Sequence, residues 1–471
     1  MATMQEILAA QRAAFMAELP VGPAVRKDRL KRAAAMLRDH GAAFCDALSE
    51  DFGHRSREQS LLTDIAASIA PINHAIKSLD RWSRRDKRPV QFPLGLLGAK
   101  AWVEYQPKGV VGLIAPWNFP VQLVMSPLAG VFAAGNRAMI KTSEFTPRVA
   151  ALFEELCPRY FAADELAFVS GGPEVGKAFA ELPFDHLLFT GATGIGRHIL
   201  HAAADNLTPV TLELGGKSPV IIGKGADMAR ATERVALGKM LNAGQICLAP
   251  DYMLVPSAQE EAVVAGLKAA VTAMYPTLLA NPDYTAIIND RHYQRLNDWL
   301  DDARAKGATI DTVNPANEDF SASNARKMPL HIIRDATDDM IVMQEEIFGP
   351  IMPIRRYDGI EQAIGEVNRR DRPLGLYYFG SDEGERRRVL DTTISGGVTL
   401  DDVIFHISME ELPFGGVGPS GMGAYHGAEG FRTFSHGKAV YKQANVDVAK
   451  LAGLKPPYGK ATVASAKRQM K

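Results

Sequence analysis

Cysteine is scarce in this sequence: 471 residues carry three, Cys45, Cys157 and Cys247. An odd, scattered set makes no disulfide framework, and the absence of C-x-x-C spacing removes the usual zinc signal, so no metal site is expected. A chain without disulfides suits a reducing cytosol, which would also keep a reactive thiol reduced; a cytoplasmic location is the expectation. Long apolar runs are missing as well, and none approaches the ~18 residues of a membrane span. The opening MATMQEILAAQRAAF is amphipathic and helix-like, without the basic-then-apolar order of a signal peptide. Charge of one sign is not in excess, since 53 Lys and Arg balance 54 Asp and Glu for a formal net charge of −1. Neither nucleic acid nor an anionic membrane is therefore an expected partner. The basic run at residues 81–88 and the Pro-, Gly- and Leu-rich stretch at 89–98 read as a surface excursion; a nucleic-acid patch is the alternative. Residues 455–471, with KPPYGK and a final basic cluster, read as a solvated, partly disordered end. There is no internal repeat and no long low-complexity segment.

What remains is the composition of a globular protein, 46% hydrophobic and 23% charged, in a chain too long for one core. Two or three domains are expected. Residues 1–80 show apolar positions at helical spacing. From Gly109 the rhythm changes to short apolar runs alternating with helices. Strands are expected at 110–115, 138–141, 166–170, 186–190, 210–214, 219–222 and 252–255. Helices are expected at 122–134, 148–160, 173–182, 194–205 and 228–242. Continuous apolar strands separated by helices indicate parallel sheet buried on both faces, so the class is α/β. A second stretch of this kind runs from about 213 to 399.

Three segments carry chemistry. Cys247 sits in Asn242-Ala-Gly-Gln-Ile-Cys-Leu-Ala-Pro250, bracketed by glycine and proline. Free cysteine is usually a small buried hydrophobe, and Cys45 and Cys157, both in helical patterns, read that way. Cys247 does not. Glu213 lies 34 positions earlier (247 minus 213), in Leu212-Glu-Leu-Gly-Gly-Lys217. It reads as a salt-bridged structural acid or as a partly desolvated base for water. Asn118, in Pro116-Trp-Asn-Phe-Pro120 after a strand, reads as a helix cap or as an amide donor to an oxyanion. A thiol, a carboxylic acid and an amide are what acyl chemistry on an aldehyde needs. Lys141 and Glu144, three apart after another strand, suit a ribose or an ordinary turn. Phe189-Thr-Gly-Ala-Thr-Gly-Ile-Gly-Arg197 opens a helix where a pyrophosphate can sit, but its G-x-x-G-x-G spacing is not the Rossmann fingerprint. The Gly-rich segments at 345–350 and 413–427 say only that turns come close to a ligand or to packed backbone. Trp117, Phe119, Tyr252 and Phe414 read as lining an aromatic pocket or as core.

Together these motifs, from about residue 10 to 445, resemble the NAD(P)-dependent aldehyde dehydrogenase superfamily. Residues 246–252 and the Gly-Met-Gly-Ala-Tyr-His-Gly run are most similar to its class 3 and coniferyl aldehyde dehydrogenase branch. The resemblance implies oxidation of an aldehyde to the carboxylic acid through a thiohemiacetal and a thioester on Cys247. Glu213 is then the general base, with Asn118 and the Cys247 backbone N–H as oxyanion donors. It places Lys141 and Glu144 on the adenosine ribose, Gly191 and Gly196 at the pyrophosphate turn, and Glu346 on the nicotinamide ribose. Phe348 lies near the nicotinamide ring, and Trp117 joins the cofactor-binding set. The cofactor is expected to be NAD, with NADP admitted, because the charge of Glu144 opposes a 2′-phosphate and Lys141 partly counters it. The substrate is expected to be an aromatic or medium-chain hydrophobic aldehyde, such as coniferyl aldehyde. Ala192 and Thr142 depart from the Ser and Pro of many relatives, and fatty-aldehyde members of the branch carry an apolar C-terminal anchor that these 471 residues lack. A CoA-acylating dehydrogenase, an esterase-type thiol enzyme and a silent binding protein on the same scaffold are the rivals. Glu213 argues against the first, the nucleotide segments against the second, and the intact Cys, Glu and Asn against the third.

The implied fold has two parallel-sheet Rossmann-like domains, cofactor and catalytic, plus a small β oligomerisation extension. The cofactor domain takes 1–80 and 106–212, the catalytic domain 213–420, the extension 81–105 and 421–445, and the tail 446–471. The extension would join two subunits in a homodimer.

Overall fold

The computed structural model describes residues 2–92, 94–451 and 453–470. Two sheets, largely parallel, carry the α/β architecture. The six-stranded sheet runs in the order Gly421–Met422, Val210–Glu213, His186–Thr190, Val110–Ile114, Arg137–Lys141, Leu166–Val169; only Gly421–Met422 is antiparallel. The seven-stranded sheet runs Thr309–Val313, Leu330–Arg334, Ile351–Tyr357, Tyr252–Pro256, Pro219–Ile222, Gly375–Phe379, Gly397–Leu400, and is antiparallel only at its first pair. Every residue of Val110–Ile114, His186–Thr190, Pro219–Ile222 and Gly375–Phe379 is buried, which is why these strands read as unbroken apolar runs rather than as alternation.

Strand order fixes where a ligand can bind. From Val110–Ile114 the chain moves outward through Arg137–Lys141 to Leu166–Val169. It then returns to His186–Thr190 on the other side of Val110–Ile114. The crevice beyond the C-terminal ends of those two central strands is the switch point of the sheet. The loops carrying Trp117, Asn118 and Gly191 leave from it.

The helix Gln122–Ala134 has the expected bounds and stops at Gly135, whose φ of 93° is the left-handed stop that glycine adopts freely. The helix Met228–Met240 ends two residues before the expected 242, because the chain turns left-handed there. A third, antiparallel sheet joins Asp86–Arg88, Lys100–Pro107 and Ser435–Lys442. The basic run thus enters a strand, and its charges pair locally: Arg81 with Glu411 and Arg85 with Glu104. Gly421–Met422, grouped by sequence with the extension, instead pairs with Leu212–Glu213 in the six-stranded sheet. The tail departs from the sequence reading. Lys460–Gln469 is helical, as its run of Ala, Lys, Arg and Gln favours, and it buries no residue. Among the described residues no helix is long and apolar enough to cross a membrane.

Helix Met4–Glu18 packs on strands Val110–Ile114 and Arg137–Lys141, while Pro23–Phe52 and Ala67–Trp82 form an outer layer that packs on the helices Gln122–Ala134 and Pro147–Tyr160. Between the two outer helices lies an ion pair with no exposure at either end: Arg55 Nη2 to Asp64 Oδ2, 2.7 Å. The second Asp64 oxygen accepts the N–H groups of Val121 and Gln122 at 3.3 and 3.4 Å, at the start of the helix that follows the Asn118 loop. Arg55 Nη1 donates to the Asn118 carbonyl at 2.9 Å, and the guanidinium lies 4.9 Å from the Phe119 ring centre. Removing one partner of such a pair leaves a buried, uncompensated charge. Asp64→Ala is therefore expected to lower folding stability by about 3–5 kcal/mol. Urea unfolding monitored by tryptophan fluorescence measures it, and a loss under about 1 kcal/mol would show that this pair does not anchor the loop.

Candidate active site

The proline-bracketed turn after Val110–Ile114 delivers Asn118 to the switch point, where it is 3% exposed. Its side chain does not cap the next helix; Asp64 takes that position. The Asn118 amide instead reaches across to the other sheet's domain and donates to the Gln245 carbonyl at 3.1 Å, two residues from Cys247. The cap reading is set aside, and the amide stands beside the thiol loop.

That loop begins where helix Met228–Met240 breaks. Asn242, Ala243 and Gly244 have φ of 51°, 53° and 73°, three left-handed residues in succession. Each non-glycine residue in that region costs roughly 1–3 kcal/mol and must be held by its surroundings. Asn242 Nδ2 donates to the carbonyls of Asn118 and Gln245, both at 3.2 Å, and its N–H donates to Gln59 Oε1 at 3.2 Å. Gln245 is wholly buried; it donates to the carbonyls of Asn242 and Ala286 and accepts from the Ile288 N–H. Gly244 is required by space as well as by φ, since a Cβ there would stand 2.5 Å from the Gly349 carbonyl oxygen. The outcome is a half-buried Cys247, whereas Cys45 and Cys157 are 2% and 4% exposed, as their sequence contexts indicated.

Burial pushes the Cys247 thiol up to about 12, with the charges of Glu346 and Glu213 adding to the effect and the N–H groups of Cys247 and Leu248 opposing it. Cys157 is also pushed up to about 12, chiefly by burial. Access, not acidity, separates Cys247 from the other two.

Glu213 ends the strand Val210–Glu213 and is 3% exposed. Neither carboxyl oxygen has a hydrogen-bond partner among the described residues, and burial raises its pKa well above the ordinary carboxylate value. The salt-bridged reading fails, because no cation meets it. What remains is a desolvated acid within electrostatic reach of Cys247.

Glu346 sits over the backbone of Gly215-Gly216: a Cβ on Gly215 would lie 2.1 Å from its Oε2. Burial and the charge of Asp251 raise it to about 8, partly offset by the Gly216 N–H, Lys217 and Arg295. Its Oε1 is buried and unpartnered. Lys217 ties the two segments together, bonding to Asp251 and to the carbonyls of Val342 and Glu345 at 2.6 and 2.9 Å. Phe348, at φ 49°, turns its ring edge-on to Trp117, with centroids 5.2 Å apart. At the rim of the sheet, Lys141 Nζ meets Glu144 Oε2 at 3.0 Å. The Gly191 N–H donates to the Glu213 carbonyl at 3.0 Å, so the glycine turn and the acid share one strand junction. Helix Thr193–Asp205 starts at Ala192 with no side chain capping it, leaving its first N–H groups free. Gly196 packs against Leu214, where a Cβ would stand 2.8 Å from Cδ2.

These features fit a nicotinamide dinucleotide. An uncapped helix N-terminus suits a pyrophosphate, and an orphaned carboxyl oxygen beside an aromatic pair suits a ribose and its ring. Glu213 and Glu346 lie within electrostatic reach of Cys247, while Lys141 and Glu144 pair with each other at the sheet edge. Of the four aromatic positions, Phe119, Tyr252 and Phe414 are core at 8%, 1% and 4% exposure; only Trp117 is half-buried. The residues missed by sequence are the supports: Arg55, Gln59, Asp64, Gln245, Asp251 and Arg295. Gln245 stood inside the cysteine segment and Asp251 one residue past it, but nothing local marks the others.

The chain matches the model of the "Aldehyde dehydrogenase family" over residues 2–440. It is 55% identical to a "Probable coniferyl aldehyde dehydrogenase" of Caulobacter vibrioides, covering 97% of this chain and 95% of that one. It is 53% identical to a "Coniferyl aldehyde dehydrogenase" of a Pseudomonas species, covering 94% and 92%. Among solved structures, substrate-bound AldH of Staphylococcus aureus superposes with a TM-score of 0.92 at 35% identity over 100% of both chains. A Mycobacterium tuberculosis aldehyde dehydrogenase complexed with NAD+ superposes with a TM-score of 0.84 at 27% identity, covering 95% and 92%. The chain belongs to the aldehyde dehydrogenase family and is an NAD(P)-dependent aldehyde dehydrogenase.

Proposed function

We propose that Cys247, Glu213 and Asn118 carry out the oxidation of an aldehyde to its carboxylic acid that this family performs. One observation carries the assignment: a half-buried thiol, an unpartnered buried carboxyl and a loop-tethered amide converge at the switch point. The Cys247 thiol gives its proton to water as the sulfur bonds to the carbonyl carbon. The oxygen becomes an oxyanion, which the Asn118 amide and the Cys247 N–H stabilise once Asn118 turns from the Gln245 carbonyl. The bound nicotinamide supplies the acceptor for the hydride that leaves this carbon. The acyl group is then a thioester on Cys247. Glu213 takes a proton from water as its oxygen bonds to the acyl carbon and the carbon–sulfur electron pair returns to sulfur.

Glu346, Phe348 and Trp117 would hold the nicotinamide end, the glycines at 191 and 196 the pyrophosphate, and Lys141 with Glu144 the adenosine ribose. The Glu144 charge favours NAD over NADP. The division into cofactor, catalytic and extension parts, and a homodimer formed through the extension, belong to the same proposal. Strand Ser435–Lys442 supports the dimer, because it lies at a sheet edge with most of its side chains exposed. A cytoplasmic setting suits the free thiols. For the substrate we infer a hydrophobic, aromatic aldehyde of the coniferyl type. The names of the two bacterial relatives support it, as do the exposed apolar side chains of Phe405, Met409 and Leu412 in the loop before Phe414. The buried Phe119, Tyr252 and Phe414 do not.

Cys247→Ala is expected to lower aldehyde oxidation by at least roughly 10³-fold while Cys45→Ala and Cys157→Ala retain it. Equal losses in three folded variants would refute the nucleophile. Glu213→Gln is expected to release about one NADH per site in a burst and then turn over roughly 10²–10⁴-fold more slowly. A vanished burst with cofactor binding intact would move Glu213 to the first step. Coniferyl aldehyde should exceed acetaldehyde in kcat/KM by at least roughly tenfold, or about 1.4 kcal/mol, and NAD should exceed NADP. Preference for small or charged aldehydes, or for NADP, would overturn those two assignments.

A further inference from the structure

The Asn118 amide has to leave a bond that it already makes. Its Nδ2 donates to the Gln245 carbonyl at 3.1 Å, and the oxyanion needs the same group. Asn118, Asn242 and Gln245 are 3%, 0% and 0% exposed, so bulk water does not reach a carbonyl here that loses its donor. A buried carbonyl without a partner is costly. That cost would hold the amide on Gln245 and away from the substrate unless the carbonyl had a second donor.

It has one. Asn242 Nδ2 donates to the Gln245 carbonyl at 3.2 Å and to the Asn118 carbonyl, also at 3.2 Å. An amide nitrogen has two hydrogens and a carbonyl oxygen two lone pairs, so each of these bonds has its own place. Two carbonyls face the Asn242 nitrogen, and Gln59 Nε2 approaches its Oδ1 at 3.5 Å, which fixes the orientation of the amide. The backbone of Asn242 is held as well. Gln59 Oε1 accepts its N–H at 3.2 Å, and its carbonyl accepts the Gln245 N–H and Gln245 Nε2 at 3.1 and 2.9 Å. Its φ of 51° is a conformation that asparagine tolerates better than most residues. The Asn118 main chain is clamped independently, because its carbonyl takes Arg55 Nη1 at 2.9 Å in addition to Asn242. A move of the Asn118 amide is therefore a rotation of the side chain alone.

We propose that Asn242 is the stand-in donor that lets Asn118 release the Gln245 carbonyl and turn to the oxyanion. The proposal rests on Asn118 being the oxyanion donor. Before attack, the Gln245 carbonyl has two donors and the Asn118 amide rests on it. As the oxyanion forms, the amide moves to the negative oxygen, and the Asn242 bond keeps the carbonyl satisfied. One neutral hydrogen bond is exchanged for a charge-assisted one, which is stronger. Asn242 is a positioning residue, since it acts on the reaction only through Asn118 and the thiol loop. Gln59 acts one step further back, by orienting Asn242.

The test is a double-mutant cycle in the full-length enzyme. Asn242→Gly removes both donors and leaves a backbone that adopts positive φ freely. Gln59→Ala leaves the amide and removes what orients it. Each is made alone and together with Asn118→Ala. Single-turnover stopped flow, with enzyme in excess over aldehyde and NAD saturating, gives the rate of NADH formation. With Asn118 present, Asn242→Gly is expected to slow it at least roughly tenfold and Gln59→Ala at least roughly threefold, with unchanged affinity for NAD. Asn118→Ala alone should slow it roughly 10²–10³-fold. In that background the other two changes should cost less than about twofold, because no amide is left to release. Equal fold losses in both backgrounds would make Asn242 and Gln59 structural supports and overturn the proposal, as would a wild-type rate in Asn242→Gly. If Asn242→Gly loses its fold, Gln59→Ala decides the question by the same cycle. Asn118→Ala separates the two ideas. If it keeps the wild-type rate, the oxyanion assignment fails and takes the stand-in donor with it; if it slows as expected and the losses multiply, only the stand-in donor fails.

Discussion

The buried pair of Arg55 and Asp64 is the joint on which the site hangs. Asp64 caps the helix after the Asn118 loop, and Arg55 holds the Asn118 carbonyl. Asn242 donates to that same carbonyl. One oxygen therefore receives donors from the N-terminal helical layer and from the thiol loop of the other sheet. A buried ion pair contributes little net stability when complete, because desolvation offsets the attraction. Its value here is geometric: two charges without water have few alternative arrangements, so the Asn118 loop has few as well.

The site handles its other buried charges differently. Glu213 meets no cation, and Glu346 meets Lys217 and Arg295 only as partial compensation. Desolvation raises the pKa of both acids above the ordinary carboxylate value. A carboxyl raised in this way is, when ionised, a stronger base than an exposed one, which suits Glu213 to take a proton from water.

The legible part of this chain was the part governed by local rules. Strands such as His186–Thr190 showed as unbroken apolar runs, and helix Gln122–Ala134 was bounded by proline and glycine. The motifs at 116–120, 212–217 and 242–250 marked loops at strand and helix ends, and the structure sets the Asn118 amide against the loop that carries Cys247. Arg55, Asp64 and Gln59 were illegible because the atoms they hold in the Asn118 and Cys247 loops lie 57 to 183 positions away. The aromatic residues misled for a related reason. Phe119 and Phe414 flank reactive segments in sequence, but an aromatic ring next to a functional residue can point to either side of the backbone, and these point into the core. The tail misled through composition, since its Lys and Ala content fits an exposed helix as well as disordered chain.

Gly244 ties two loops into one object. Its missing side chain leaves room for the carbonyl of Gly349, which belongs to the segment carrying Glu346 and Phe348. The backbone that presents the Cys247 thiol and the backbone that presents Glu346 are in contact at that point. A change in one loop cannot be absorbed without displacing the other. Variation in residues 345–350 is thus filtered by its effect on the Cys247 loop, and variation around Cys247 by its effect on residues 345–350. In descendants of this sequence the two segments are inherited together or lost together.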